Sequence, residues 1–168
     1  MIPDPCTTVA FTGHRTYCGE AAAALAAAIR GLHAHGFRTF LCGMAVGFDL
    51  AAAEAVLELR ERVPGVRLVA AVPFRGQEMR FSPADRERFR RVLAEADSVE
   101  VLAPAYHRGC YAVRNDFLVD NARVLVAWYD GSPGGTRHTV SRALRRGLEF
   151  VNLHPQRAGV ALTEPTLF

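Results

Sequence analysis

The stretch Leu41-Cys-Gly-Met-Ala-Val-Gly-Phe-Asp-Leu-Ala-Ala-Ala-Glu54 reads as strand, tight turn and helix in quick succession. A short apolar β-type run, Thr39-Phe-Leu-Cys42, stops at Gly43. After Met44, Ala45 and Val46 comes a second glycine, Gly47, and Asp49 then opens an alanine-rich segment of helical composition. Glycine at such points allows torsions, or a close ligand approach, that a Cβ forbids. A helix start behind the turn offers free N–H groups and a positive dipole end to an anion. Asp49 reads as the N-cap, its carboxylate satisfying an orphan N–H. By itself the stretch favours a compact structural turn over a ligand cradle, since a short glycine turn is not a specific fingerprint. Similar turns elsewhere in the chain shift the balance.

Working outward, the same alternation recurs. Thr8–Thr12 is a first strand, ending at Gly13-His14-Arg15, and a helix follows over Glu20–His35 with Leu25, Ile29 and Leu32 on one stripe and Gly36 as its stop. The helix after Gly47 spans Leu50–Arg62 and closes at Pro64-Gly65; Arg67–Val72 is a third strand, stopping at Pro73-Phe74. Ser82-Pro83-Ala-Asp85 combines a cap, a proline at the first helical position and an early acid, predicting a helix to Ala94. Ser98–Leu102 is a fourth strand, and a polar loop with Tyr106, His107 and Arg108 leads to a helix over Tyr111–Asn121. Val124–Trp128, the most apolar strand, runs into Tyr129-Asp-Gly-Ser-Pro-Gly-Gly-Thr136, a helix over Arg137–Gly147 and a last strand, Phe150–Leu153.

Single helices between near-continuous apolar strands predict an α/β fold: one Rossmann-like, doubly wound parallel sheet with helices on both faces. Residues 1–168 form one domain in this reading, with 155–168 as a peripheral tail. Ligands of such sheets sit outside the carboxyl ends of the strands. The loops there carry Gly13, His14 and Arg15; Gly43, Met44, Gly47 and Asp49; Pro73, Phe74 and Gln77; and Asp130 with Gly134, Gly135 and Thr136. Three glycine-bearing loops on one edge, one beside an arginine, point to a phosphate-containing ligand. No G-x-G-x-x-G is present, which argues against an NAD dehydrogenase.

Composition narrows the chemistry. All 20 basic residues are arginine, so the lysine of a P-loop and the amine of a Schiff base are both lacking. Arginine still binds phosphate bidentately. Cys6, Cys18, Cys42 and Cys110 are scattered and form no C-x-x-C pair, so neither a metal knuckle nor a redox motif is expected. No secretory signal is recognised near the first residue and no apolar run suits a membrane span, which makes the cytoplasm the default. The net charge of +3 leaves few phosphates to neutralise, so weak nucleic-acid binding is expected.

Phe11-Thr-Gly-His-Arg15, Gly43–Asp49 with Ala52-Ala53-Glu54, Pro73-Phe74 with Gln77, Arg114-Asn115 with Val119-Asp120, and Gly134-Gly-Thr136 with Thr139 and Ala143 resemble the SLOG superfamily. That group unites DprA/Smf proteins with the lonely-guy, lysine-decarboxylase-like phosphoribohydrolases, and the similarity is greatest to its small YpsA-like bacterial branch. The resemblance implies a Rossmann-like sheet that binds nucleotides or nucleotide-derived ligands, with no metal and no cofactor. It also implies that Arg114, Asn115 and Thr139 belong to the site. Lonely-guy enzymes carry a P-G-G-x-G-T-x-x-E motif, whereas here Thr136 is followed by Arg137-His138-Thr139, so the motif Glu is missing.

Candidates for chemistry are therefore Glu54 and Asp49, with Arg114 as their cationic partner. If both acids were helical they would diverge by about 140°; if Asp49 is the cap, both approach the cleft. Asp116 and Asp120 either flank Arg114 or form a structural ion-pair set. Thr136 is a hydroxyl donor to phosphate or else an N-cap. The expected function is binding or sensing of a nucleoside phosphate, ADP-ribose or similar ligand with weak or no catalysis. The alternatives are an N-glycosidic bond hydrolase and DprA-like single-stranded DNA binding. A homo-oligomer is compatible with the sequence.

Overall fold

The computed structural model describes residues 2–155. The expected tail thus lies outside the described residues apart from Pro155. Six strands, β1 (Thr8–Gly13), β2 (Thr39–Cys42), β3 (Arg67–Val72), β4 (Ser98–Val101), β5 (Val124–Trp128) and β6 (Glu149–Asn152), form one sheet in the order β4-β3-β2-β1-β5-β6. Every pairing is parallel. Burial explains the sequence pattern. β5 is buried at every position, while the outer strands β4 and β6 alternate between more and less covered residues. Central strands are wetted on neither face, so they read as unbroken apolar runs.

Helices α1 (Ala22–Ala34), α2 (Phe48–Arg62) and α3 (Pro83–Glu95) cover one face, where Phe11, Phe40, Phe48, Leu50 and Phe89 form the larger core. Helices α4 (Cys110–Asp120) and α5 (Gly135–Arg145) cover the other, over Leu41, Leu125, Leu118, Val140 and Phe150. Short 3₁₀ turns at Pro5–Thr7 and Gln77–Arg80 complete the elements. Among the described residues no helix is long and apolar enough to cross a membrane.

Two connections matter for the site. The chain climbs outward from β1 to β4, then returns through α4 to enter β5 on the far side of β1. The crevice between β1 and β5 is therefore the topological switch point. That return also lays α4 across the sheet, beside the end of β2.

Helix starts depart from expectation in an informative way. α3 begins as predicted, with the Ser82 hydroxyl accepting from Asp85 N–H at 3.2 Å. α2 begins at Phe48 and α5 at Gly135, each two residues earlier than composition suggests. Their caps are Gly47 (φ 80°) and Gly134 (φ 137°), so neither Asp49 nor Thr136 is an N-cap. α4 follows the same rule, with Gly109 (φ 92°) at its cap. These torsions lie where a Cβ is disfavoured, which is why glycine rather than a capping side chain sits there. None of these three glycine caps supplies a side-chain hydrogen bond to its helix.

Candidate functional site

The site assembles from strand ends inward. β1 ends at Gly13, paired in register with Trp128 of β5, so the two loops leave the sheet side by side. His14 N–H donates to the Trp128 carbonyl at 3.3 Å. The His14 ring then meets Asp130, its Nε2 lying 3.1 Å from the Asp130 N–H and 2.8 Å from Oδ1. The neutral ring accepts from the N–H; the protonated ring pairs with the carboxylate. The Ser132 hydroxyl and N–H, followed by His14, hold the Asp130 carboxyl down at about 2. Gly13 has no room for a Cβ, which would sit 2.5 Å from Phe48. Gly47 is equally constrained, a Cβ there meeting the Arg15 backbone at 2.6 Å. The first two glycine turns thus pack on one another.

Beneath them lies a buried polar cluster. Arg114, from the middle of α4, donates through Nη1 to the Gly43 carbonyl and through Nε to Asn115 Oδ1 at 2.8 Å. Its Nη1 stands 3.9 Å from Asp49 Oδ2, and the same oxygen accepts from Ala45 N–H at 3.2 Å. Both charged side chains are buried. Desolvation raises the Asp49 carboxyl to about 6 against the opposing pull of Arg114, the Ala45 N–H and Arg15. Desolvation likewise lowers Arg114, with Asp49 opposing. Met44 takes a left-handed φ of 64° in this turn, a conformation that a long side chain adopts only when its surroundings enforce it.

Above the cluster opens a cavity of about 380 Å³, lined by Thr12, Gly13, His14, Arg15, Ala45, Asp49, Tyr111, Arg114, Asn115, Gly135 and Thr136. Gly135 and Thr136 occupy the uncapped first turn of α5, which carries no acidic residue there. The cavity thus combines a helix start without a side-chain cap with exposed Arg15 and with buried Asp49, Arg114 and Asn115. A helix start without a side-chain cap, beside arginine, is the chemistry from which anion cradles are built.

The sequence profile of the YspA SLOG family matches residues 10–149. The chain belongs to that family.

Among similar proteins, a UPF0398 protein of Bacillus cereus is 30% identical over 112 residues, 65% of this chain and 60% of that protein. The SPbeta prophage-derived protein YoqJ of Bacillus subtilis is 30% identical over 130 residues, 69% of this chain and 76% of that one. The fold resembles DNA processing protein A from Streptococcus pneumoniae (TM-score 0.63, 20% identity, 90% of this chain and 50% of that one). It also resembles DNA processing protein A from Helicobacter pylori, described for its single-stranded DNA binding mode (TM-score 0.64, 17% identity, 93% of this chain and 68% of that one). At these identities the likeness shows the Rossmann-like fold alone. The chain spans about 60% of the length of the UPF0398 relative.

Within this SLOG architecture the expected site residues sort by role. Gly13, His14, Arg15, Asp49, Arg114, Asn115, Gly135 and Thr136 converge on one cavity. Gly43, Met44 and Gly47 shape its floor and Gly134 starts α5, while Thr139 donates to the Gly135 carbonyl at 3.0 Å. Asp130 reaches the site through His14. Pro73, Phe74 and Gln77 are buried behind the cavity rather than in its wall, and Phe74 packs on Ala103 and Cys110. Glu54 is displaced: it accepts from Arg88 of α3 (Nε, 3.0 Å), and it lines a separate cleft between α1, α2 and α3. Asp116 and Asp120 do not flank Arg114. They pair with Arg142 at 3.0 and 3.1 Å and clamp α4 to α5.

Tyr111 escaped the sequence reading. Its ring lines the cavity with the Arg15 and Arg114 guanidinium carbons 5.7 and 5.9 Å from its centroid. Nothing local marks it, because only the crossing of α4 brings it to Arg15.

Proposed function

We propose that the protein binds a nucleotide or nucleotide-derived ligand, a nucleoside phosphate or ADP-ribose, at the carboxyl edge of the sheet, with weak or no catalysis. One observation carries this reading: the uncapped first turn of α5 at Gly135-Thr136 shares a cavity with Arg15 and the buried Arg114. The phosphate sits on the Gly135-Thr136 backbone. Arg15, which is exposed, supplies the mobile charge, while Arg114 is already committed to Gly43, Asn115 and Asp49.

Catalysis of N-glycosidic hydrolysis is the weaker alternative. Glycoside hydrolysis ordinarily uses two carboxylates across the scissile bond. Among the described residues Asp49 is the one carboxylate lining this cavity, and it is occupied by Ala45 N–H and Arg114. Incubation with nucleoside monophosphates and ADP-ribose is expected to release no free base; steady release would reinstate the hydrolase. Single-stranded DNA binding, described for the Helicobacter pylori protein, is a third reading and is tested below.

Gly135→Asp tests the phosphate position. A Cβ at Gly135 meets only Asn115 Nδ2 at 3.9 Å, so the fold accommodates it while a carboxylate enters the anion site. Thermal shift with a nucleotide panel is expected to show stabilisation of the wild type and none of the variant. Equal shifts would place the phosphate elsewhere.

A further inference from the structure

We propose that Tyr106 is the stacking platform for the ligand's base, so that this cavity takes a base-bearing nucleotide in preference to a bare sugar phosphate. The inference rests on the nucleotide reading above and adds to it the residue that distinguishes the ligand class.

The cavity itself offers a base little to stack on. Its walls are glycine backbone, arginine, Asp49, Asn115 and threonine, and the aromatic ring in the wall besides His14, Tyr111, is already engaged by two guanidinium groups. Immediately beyond Tyr111 stands Tyr106, at a ring-centroid distance of 6.4 Å and 51% exposed. It is held rather than loose. Buried Phe74 meets it edge-on at 5.4 Å and 76°, and Phe74 also packs against Tyr111 at 5.9 Å. The Arg80 guanidinium lies over the Tyr106 ring at 4.5 Å. Main-chain bonds fix the loop at both ends, from Arg75 N–H to the Ala103 carbonyl and from Cys110 N–H to the His107 carbonyl.

A single exposed tyrosine needs no explanation on a protein surface. This one differs in company and in place. The loops after β3 and β4 have built a knot of three rings with an arginine on top, away from both main cores and against the wall of the anion site. Tyr111 is part-buried with two guanidinium groups on it, whereas Tyr106 carries one and stays half exposed, so a held ring next to the cavity keeps surface on which a base can stack. Stacking reads the face of a base and not its edge, so the platform separates nucleotides from sugar phosphates, favours purines over pyrimidines, and leaves adenine and guanine nearly equal.

Calorimetry with adenosine monophosphate, uridine monophosphate and ribose 5-phosphate on the full chain decides the matter. In the wild type, adenosine monophosphate is expected to bind roughly 5- to 150-fold more tightly than ribose 5-phosphate, the range that stacking one base on an aromatic ring supplies. Tyr106→Ala is expected to erase that ratio while leaving ribose 5-phosphate affinity unchanged, and Tyr106→Phe to restore it. A wild-type ratio near one, or a ratio that survives Tyr106→Ala, overturns the proposal while leaving the phosphate site standing. Failure of all three probes to bind the wild type overturns the nucleotide reading and this inference with it. Should the alanine variant lose its cooperative melt, Tyr106→Leu, which keeps bulk without a ring, carries the same test.

Discussion

The Arg114 guanidinium, carried on α4, donates to the main-chain carbonyl of Gly43 just past β2, and this bond ties the helix to the strand end. It fixes the strand-end turn from below and places Asp49 beside a buried cation. A buried pair of this kind is expensive to break, because the surviving charge is left without a partner.

Gly43→Ala tests that packing. A Cβ at Gly43 would sit 2.9 Å from Arg114 Cδ and Nη1 and 3.0 Å from Asp49 Oδ2, and the pinned arginine has no room to retreat. The expected loss is about 1–3 kcal/mol of stability, read by urea denaturation, together with weaker nucleotide binding. Gly135→Ala, with ordinary contact only, is the matched control and is expected to fold as stably as wild type.

Asp49 gives a pH signature whose sign is fixed. Its carboxyl stands at about 6 in the folded protein against an ordinary 3.8. A raised folded value means that its contribution to stability is complete below the unfolded value and is lost as pH rises through about 6. The difference corresponds to about 3 kcal/mol. Unfolding midpoints between about pH 4 and pH 7 are expected to show this decline in the wild type and a flatter profile in Asp49→Asn. Identical slopes would show that Asp49 does not titrate there.

Glu54→Gln separates architecture from site. The Glu54–Arg88 pair ties α2 to α3 and is about one-third exposed, so its loss is expected to cost no more than about 1 kcal/mol. Nucleotide affinity should be unchanged. A large loss of binding would return Glu54 to the site.

Nucleotide binding is expected to be indifferent to magnesium and to EDTA, without ATP hydrolysis. The chain has no lysine and no P-loop, and the described residues contain no cluster of three or more His, Cys, Asp or Glu placed to hold an ion. Magnesium-dependent ATPase activity in clean protein would contradict this.

Single-stranded DNA is expected to bind only weakly at physiological salt. Of the arginine run on α3, Arg86 is spent on the carbonyls of Glu78, Met79 and Phe81, and Arg88 on Glu54 and Asp85. Few cations remain there to displace counterions. Submicromolar binding in fluorescence anisotropy would favour the DNA reading instead.

The order and type of the elements were legible in the chain because local patterns carry them. Unbroken apolar strands such as Val124–Trp128 state that both faces are covered, and Ser82-Pro83 announces α3 through a side chain that does the capping. The glycine turns likewise marked the edge where Gly13, Gly43 and Gly135 gather. The starts of α2 and α5 were misplaced for the complementary reason. Gly47 and Gly134 act through backbone torsion, which composition does not display.

What the sequence determined by itself is the doubly wound parallel sheet and the glycine-bearing loops at its carboxyl edge, since both follow from periodicity and from residues near in the chain. Only the tertiary structure decided which polar groups meet. Separations of 71 residues between Arg114 and Gly43 and of 34 between Arg88 and Glu54 are bridged by crossings that no local pattern encodes. Those crossings bring Tyr111 and Arg114 into the wall of one cavity, hand Asp116 and Asp120 to Arg142, and place Glu54 in a separate cleft. The physical reason is that a charged side chain pairs with whatever the packing of the helices places within reach.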